Sequence, residues 1–326
     1  MSTPLPTGAV EHSISAYLEH QRALGRAYQH EEDILKSLSR CLALAGAQDL
    51  DLAVFDQWCA SLARLNATVR RNHQRTVYKW CLYRRREDPS CFVPDPNRFP
   101  RAEPYIAPVI VSPEAVARML DAANAVLVTP DSPLRPHVLR LATALLYSAG
   151  LRRGELLRLE LGDVNMRDAV LRIRESKFHK SRWVPLSSDA GTELRFYIER
   201  CQQQWGRQPP ETPVLCHGAR RCSGYTGTGL SRGLHELMDA AAVRGWDGRR
   251  PRLHDLRHSF AVQCLLRWYR QGADVQSQLP KLAMYMGHVS IVSTAYYLRW
   301  IPELAQAASD RFESRFGALL QAQEAP

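Results

Sequence analysis

Six prolines fall within twenty residues, at Pro89, Pro94, Pro96, Pro100, Pro104 and Pro108. Each fixes its own φ and removes a backbone donor, so the stretch can continue neither a helix nor a central strand. It reads as an extended linker that divides the chain into a shorter and a longer part. A length of 326 residues leads to the same expectation of two domains.

The shorter part is helical by its apolar periodicity. Residues 1–10, with Pro4, Pro6 and Gly8, read as a flexible arm. Beyond them apolar side chains recur every three to four positions: Ile14, Tyr17, Leu18 and Leu24, then Ile34, Leu35, Leu38, Leu42 and Leu44, then Leu52, Val54, Phe55, Trp58 and Leu62. Asn66 or Thr68 is placed to cap a fourth helix over residues 67–85. On that helix Val69, His73, Val77, Trp80 and Cys81 share one side, while Arg71, Arg75, Lys79 and Arg86 form a stripe opposite. No acid lies between Asp56 and Glu87. A solvated face ordinarily mixes charges, so a stripe of one sign suits a helix lying along DNA phosphates.

In the longer part Ser112, Pro113 and Glu114 form a helix start: a capping hydroxyl, proline at the first helical position, an acid in the first turn. Helices are expected over 116–125 and 137–148, and another from Arg153 after the turn Ala149-Gly150-Leu151-Arg152. Two short strands, 169–173 and 183–186, are joined by residues 175–182. A helix over 189–205, a long loop over 206–229, a helix over 230–243 and a basic loop over 244–252 follow. A helix begins near His254, another over 279–286 stops at Gly287, and residues 302–320 read as amphipathic, with Leu304, Ala308, Phe312 and Phe316 on one stripe.

Composition narrows the function. A formal charge of +10 points to a polyanionic partner. No run approaches the ~20 apolar residues of a membrane span, and the start lacks a charged segment followed by an apolar one, so a cytoplasmic, bacterial location is expected. The eight cysteines show no paired C-x-x-C, which suits reduced thiols. Cys216, His217 and Cys222 lie near one another but read as loop rather than as metal ligands.

The chemistry centres on Tyr297. A phenol loses its proton only near pH 10, so a nucleophilic tyrosine needs cations and a proton acceptor. The sequence offers Leu151-Arg152-Arg153-Gly154-Glu155, Ser176-Lys177 and His254-Asp255-Leu256-Arg257-His258. Arginines, lysine and histidines around a tyrosine describe a site that grips a phosphodiester and attacks it. His254 and Arg257, three apart on a helix, share a face, while His258 is expected to point away as a structural histidine.

Residues 149–156, 177–186, 254–261 and 287–297 resemble, in order and spacing, the four signature boxes of the tyrosine recombinases, the phage integrase family. The resemblance implies a mainly α chain with a small β-hairpin or sheet: a helical SAM-like core-binding domain over 1–100, a linker over 101–111 and an integrase catalytic domain over 112–326. It implies Arg152 and Arg257 as phosphate clamps, with Glu155 holding the arginines or a neighbouring histidine. Lys177 would be general acid for the leaving 5′ oxygen, with Lys180 as rival because Ser176 and Phe178 replace the usual turn glycines. His254 would move a proton and His288 would bond the scissile phosphate. Tyr297, nine residues after that histidine, would be the nucleophile ahead of Tyr296. Lys180 and Arg182 are further expected at the DNA backbone.

The activity implied is site-specific recombination of double-stranded DNA through a 3′-phosphotyrosyl link and a Holliday junction, with no ATP or metal cofactor. The partners implied are a homo-oligomer on DNA, a tetrameric synapse, and related recombinases. A final helix would dock on the neighbouring protomer. A mobile-element setting fits better than a lambda-type one. A catalytically inactive accessory factor and a chromosome-dimer resolvase are the alternatives.

Overall fold

The computed structural model describes residues 7–176, 180–288, 290, 306, 309–310 and 312–314. The chain divides into two compact units, Met1–Ile106 and Ala107–Pro326. It is mainly helical, with small antiparallel sheets.

The first unit holds α1 (Thr7–Ala23), α2 (Gln29–Leu44), α3 (Leu52–Ser61) and α4 (Ala67–Arg84). α1 begins before Val10, and Val10 is buried rather than part of an arm. Ile14, Tyr17, Leu35, Leu38, Leu42, Phe55, Trp58, Val77 and Trp80 make the core, each large apolar side chain contributing about 1.5–3 kcal/mol. Leu24, Leu44 and Leu52 continue the sequence spacing but are exposed. Each sits at or just past a helix end, where the packed face runs out. Asp51 and Asn66 cap α3 and α4 by accepting the N–H of Val54 and Val69.

Arg75, Lys79 and Arg86 are exposed, as a phosphate-facing stripe requires, although Arg86 lies beyond the end of α4. Arg71 is half-buried and donates to the Pro100 carbonyl at 3.2 Å. Arg84 turns inward: it is buried, pairs with Asp49 at 2.7 Å and lies over the Trp80 ring. The first half of the proline-rich stretch is no extended spacer. Cys91 and Phe99 are buried, Phe99 against the Phe55 and Tyr78 rings, with a 3₁₀ turn Pro96–Arg98 leading into it.

In the second unit α5 (Pro113–Ala123), capped by Ser112, packs on α6 (Arg135–Ser148), whose Val138, Leu139, Leu141, Ala142 and Leu145 are wholly buried. The chain turns into α7 (Arg153–Leu157) and then a three-stranded antiparallel sheet, β1 (Val164–Asn165), β2 (Val170–Ser176) and β3 (Lys180–Pro185), in that order. The sheet exceeds the expected hairpin: β1 was unforeseen, and Ser176, Lys180, Ser181 and Arg182 belong to strands rather than to the connection.

α8 (Ser188–Trp205) follows. Within the expected long loop, β4 (Cys216–His217) pairs with β5 (Ser223–Gly224), so Cys216 and His217 lie in a short hairpin. α9 (Gly227–Ala240) begins earlier than expected because Thr226 caps it. α10 (Leu253–Arg270) and α11 (Val275–Met286) complete the described core. α11 starts one turn before the expected Leu279. Asp274 caps it, and Pro280 sits inside the helix rather than near its start.

Candidate active site

Gly150 ends the α6 turn at φ +58°, and a Cβ there would fall 2.5 Å from Phe260 Cδ1 of α10. Only glycine suits so close an approach in that conformation. The turn presents Arg152 at the start of α7. Glu155, one turn on, accepts the Arg152 backbone N–H at 3.0 Å through Oε2 and its guanidinium Nη1 at 2.6 Å through Oε1. Arg152 Nη2 donates to the Gly287 carbonyl at 2.8 Å, so the first of the sequence segments meets the last.

α10 opens the same way. Asp255, buried, accepts the backbone N–H and the side chain of Arg252, and the helix then carries His254 and Arg257. Arg257 is 1% exposed; its Nη1 donates to the Gly150 carbonyl and its Nη2 to the Met286 carbonyl. The guanidinium therefore ties the α6 turn to the end of α11. His258 does not point away from His254. The rings meet edge to face with centroids 4.6 Å apart, as residues four apart on a helix can.

Gly287 stops α11 at φ +66°, and His288 follows, its N–H donating to the Ala283 carbonyl. Burial, then the charges of Arg257 and Arg152, push the His288 pKa down to about 4, with His254 and His258 adding to the effect. Burial and then His254 bring His258 to about 4 as well. His254 is more exposed, yet partial burial and then the Arg257 and Arg152 charges lower its pKa too. Arg152, His254, Arg257 and His288, from three separated stretches, thus share one electrostatic environment. It holds imidazoles neutral beside fixed cations.

Arg182 departs from the expected DNA contact. Only 10% of its side chain is exposed. Nη1 and Nη2 each donate to a Glu155 carboxylate oxygen at 2.9 Å, and Nε donates to the Tyr285 carbonyl at 2.8 Å. Burial would raise the Glu155 pKa, but the hydrogen bonds and charge of Arg182, together with Arg152, bring it down to about 2. A signal for this existed in the sequence. Residues two apart on a strand share a face, and Val184, two beyond Arg182, is an apolar core residue.

Lys177, Phe178, Tyr296 and Tyr297 lie outside the described residues. Lys180 is in β3, its backbone paired with Ser176. Of the final helix, Gln306, Ser309, Asp310 and residues 312–314 are described and helical, and Phe312 is exposed. Asp255 and Tyr285, whose hydroxyl donates to the Pro185 carbonyl, were not singled out from sequence. No group of metal-ligating side chains occurs among the described residues. No described helix is long and apolar enough to cross a membrane.

A family model described as "Phage integrase family" matches residues 111–302. The chain belongs to that family, the tyrosine recombinases, whose members are generally DNA cleaving and rejoining enzymes. It is 31% identical over 311 residues to a putative integrase/recombinase, y4rB, of Sinorhizobium fredii, covering 93% of this chain and 97% of that one. It is 32% identical over 251 residues to the tyrosine recombinase XerD of Xanthomonas campestris pv. campestris, covering 73% and 67%. Among solved structures, XerH recombinase bound to its difH substrate superimposes with a TM-score of 0.61 at 14% identity, covering 95% of this chain and 97% of that one. The Tn1549 transposon integrase in complex with transposon right-end DNA does so with a TM-score of 0.61 at 14% identity, covering 94% and 98%. At such identity these two structures speak for the fold alone.

Proposed function

We propose that the chain is a site-specific recombinase that cleaves and rejoins double-stranded DNA through a 3′-phosphotyrosyl intermediate and a Holliday junction, in the service of a mobile genetic element. The observation that carries this reading is the meeting of Arg152, His254, Arg257 and His288 about the Gly150 and Gly287 turns. Tyr297 Oη attacks the scissile phosphorus, a P–O bond to tyrosine forms, and the bond to the 5′ oxygen breaks. Lys177 gives that oxygen its proton, and His254 takes the phenolic one. Arg152, Arg257 and His288 stabilise the charge of the pentacoordinate phosphate. The 5′ hydroxyl of a second duplex then attacks the phosphotyrosine and restores both a phosphodiester and free Tyr297, so the bond energy is retained and ATP is not consumed.

The histidine environments fit this scheme. Imidazoles kept neutral by burial and by neighbouring charges are ready to accept a proton, and a phosphodiester anion entering among the cations offsets the part of the shift that those charges cause. Arg71, Arg75, Lys79, Arg86 and Lys180 are assigned to the DNA backbone, with Arg71 the weakest because Pro100 already engages it. The solved relatives bound to difH and to transposon-end DNA support duplex DNA as the partner. A tetrameric synapse, with the helix after Tyr297 docked on a neighbour, is the assembly proposed.

The test is incubation with a nicked suicide duplex, which traps covalent protein on DNA. Wild type is expected to form a denaturant-stable adduct and Tyr297→Phe to form none. Binding without any adduct in the wild type would instead identify an inactive accessory factor.

A further inference from the structure

We infer that Arg182 is a positioning residue for strand cleavage: it fastens the β2–β3 hairpin, whose connection carries Lys177, to the Arg152 turn and to the end of α11, and it does not grip DNA. The inference rests on the cleavage chemistry proposed above. One guanidinium is bound on three sides. It forks onto both oxygens of Glu155 and donates to the Tyr285 carbonyl. It also lies so close under Gly287 that a Cβ there would fall 2.8 Å from Arg182 Nη1. Glu155 meanwhile holds Arg152, and Gly287 precedes His288. Arg182 therefore reaches from the hairpin to both neighbouring parts of the site.

The strand pairing explains why an anchor is needed there. Ile173 pairs with Arg182, but the register shifts between Ile173 and Ser176 before Ser176 pairs with Lys180. Beyond Arg182 the hairpin thus lacks a regular ladder to fix its outer end. A general acid must come within roughly 2.6–3.2 Å of the oxygen it protonates, so the acid proposed on this hairpin depends on the hairpin being held in a fixed position relative to Arg152, which the contacts of Arg182 with Glu155 and α11 supply. Lysine at 182 keeps the charge but cannot form the planar fork.

The experiment compares cleavage of two suicide duplexes by the full-length protein. One carries the natural 5′ bridging oxygen at the scissile phosphate, the other sulfur at that atom. A thiolate is a good leaving group, because a thiol has a pKa of about 8.5, and it leaves without a proton from the protein. Lys177→Ala is the control for loss of the acid. Arg182→Ala and Arg182→Lys are expected to slow cleavage of the oxygen substrate by about 10²-fold or more. On the sulfur substrate both should come within about threefold of wild type, with the salt dependence of DNA binding unchanged.

Sulfur substrate cleaved as slowly as oxygen substrate by the Arg182 variants, while Lys177→Ala is rescued, overturns the positioning role alone. So does a salt slope lower by about 0.9, the signature of one lost phosphate contact. No rescue of Lys177→Ala overturns the assignment of the acid and this inference with it. Melting curves and the charge-preserving Arg182→Lys variant separate a positioning defect from failure to fold.

Discussion

Replacing Glu155 by glutamine removes the one negative charge between Arg152 and Arg182 while keeping the side chain's shape. In the folded protein this carboxyl titrates at about 2 instead of its ordinary 4.5. At about 1.36 kcal/mol per pH unit, that difference corresponds to about 3 kcal/mol of stability at neutral pH. Because the folded pKa lies below the unfolded one, the unfolded chain binds the extra proton as the solution is acidified. The contribution is therefore full above pH 4.5 and is lost as the pH falls toward 2, with less than half remaining near pH 3. Urea unfolding of wild type and Glu155→Gln from pH 7 to pH 3 reads this directly. The stability gap between them should be about 3 kcal/mol at pH 7 and should narrow by more than 1 kcal/mol by pH 3. A gap of constant size across that range would refute the buried, doubly paired carboxylate as its source.

Three further outcomes are expected. In the DNA-free protein, NMR titration should place the midpoints of His258 and His288 near pH 4 rather than near 6.5; since both folded values are depressed, the stability they affect declines as pH drops from 6.5 toward 4. Gly150→Ala combines a positive φ with a Cβ 2.5 Å from Phe260 and should cost about 2 kcal/mol or more, read as a lower unfolding midpoint; an unchanged midpoint would contradict the close packing of that turn on α10. Arg75→Ala and Lys79→Ala should each reduce the salt slope of DNA binding by about 0.9 with little change in stability, whereas Arg84→Ala, which removes the buried partner of the partly exposed Asp49 and its packing on Trp80, should destabilise the first unit by about 1–2 kcal/mol and leave the slope alone.

Much of this was legible in the chain. Amphipathic spacing located α1 to α4 because a small helical bundle buries one stripe of each helix, and the residues that broke the pattern, Leu24, Leu44 and Leu52, sit where helix ends leave the core. The segments bearing Arg152, His254, Arg257 and His288 could be picked out by their resemblance, in order and spacing, to the signature boxes of the tyrosine recombinases. What spacing does not encode is which donors already have partners. Arg71, Arg84 and Arg182 look like surface cations in a row of letters, yet Pro100, Asp49 and Glu155 claim them through contacts 29, 35 and 27 residues distant. His258 does not point away because it lies four residues, about one helical turn, beyond His254, which brings the two rings together. The β4–β5 hairpin and the first strand of the sheet escaped notice because two-residue strands carry no periodicity.

The central claim is that Tyr297 forms a covalent bond to DNA at the site built by Arg152, His254, Arg257 and His288. Protease digestion of the adduct trapped on a suicide duplex, followed by mass spectrometry of the DNA-linked peptide, measures it most directly. The predicted result is a 3′ phosphate esterified to Tyr297 and no adduct from Tyr297→Phe. Attachment at Tyr296, or an adduct that survives the Tyr297→Phe substitution, would contradict it.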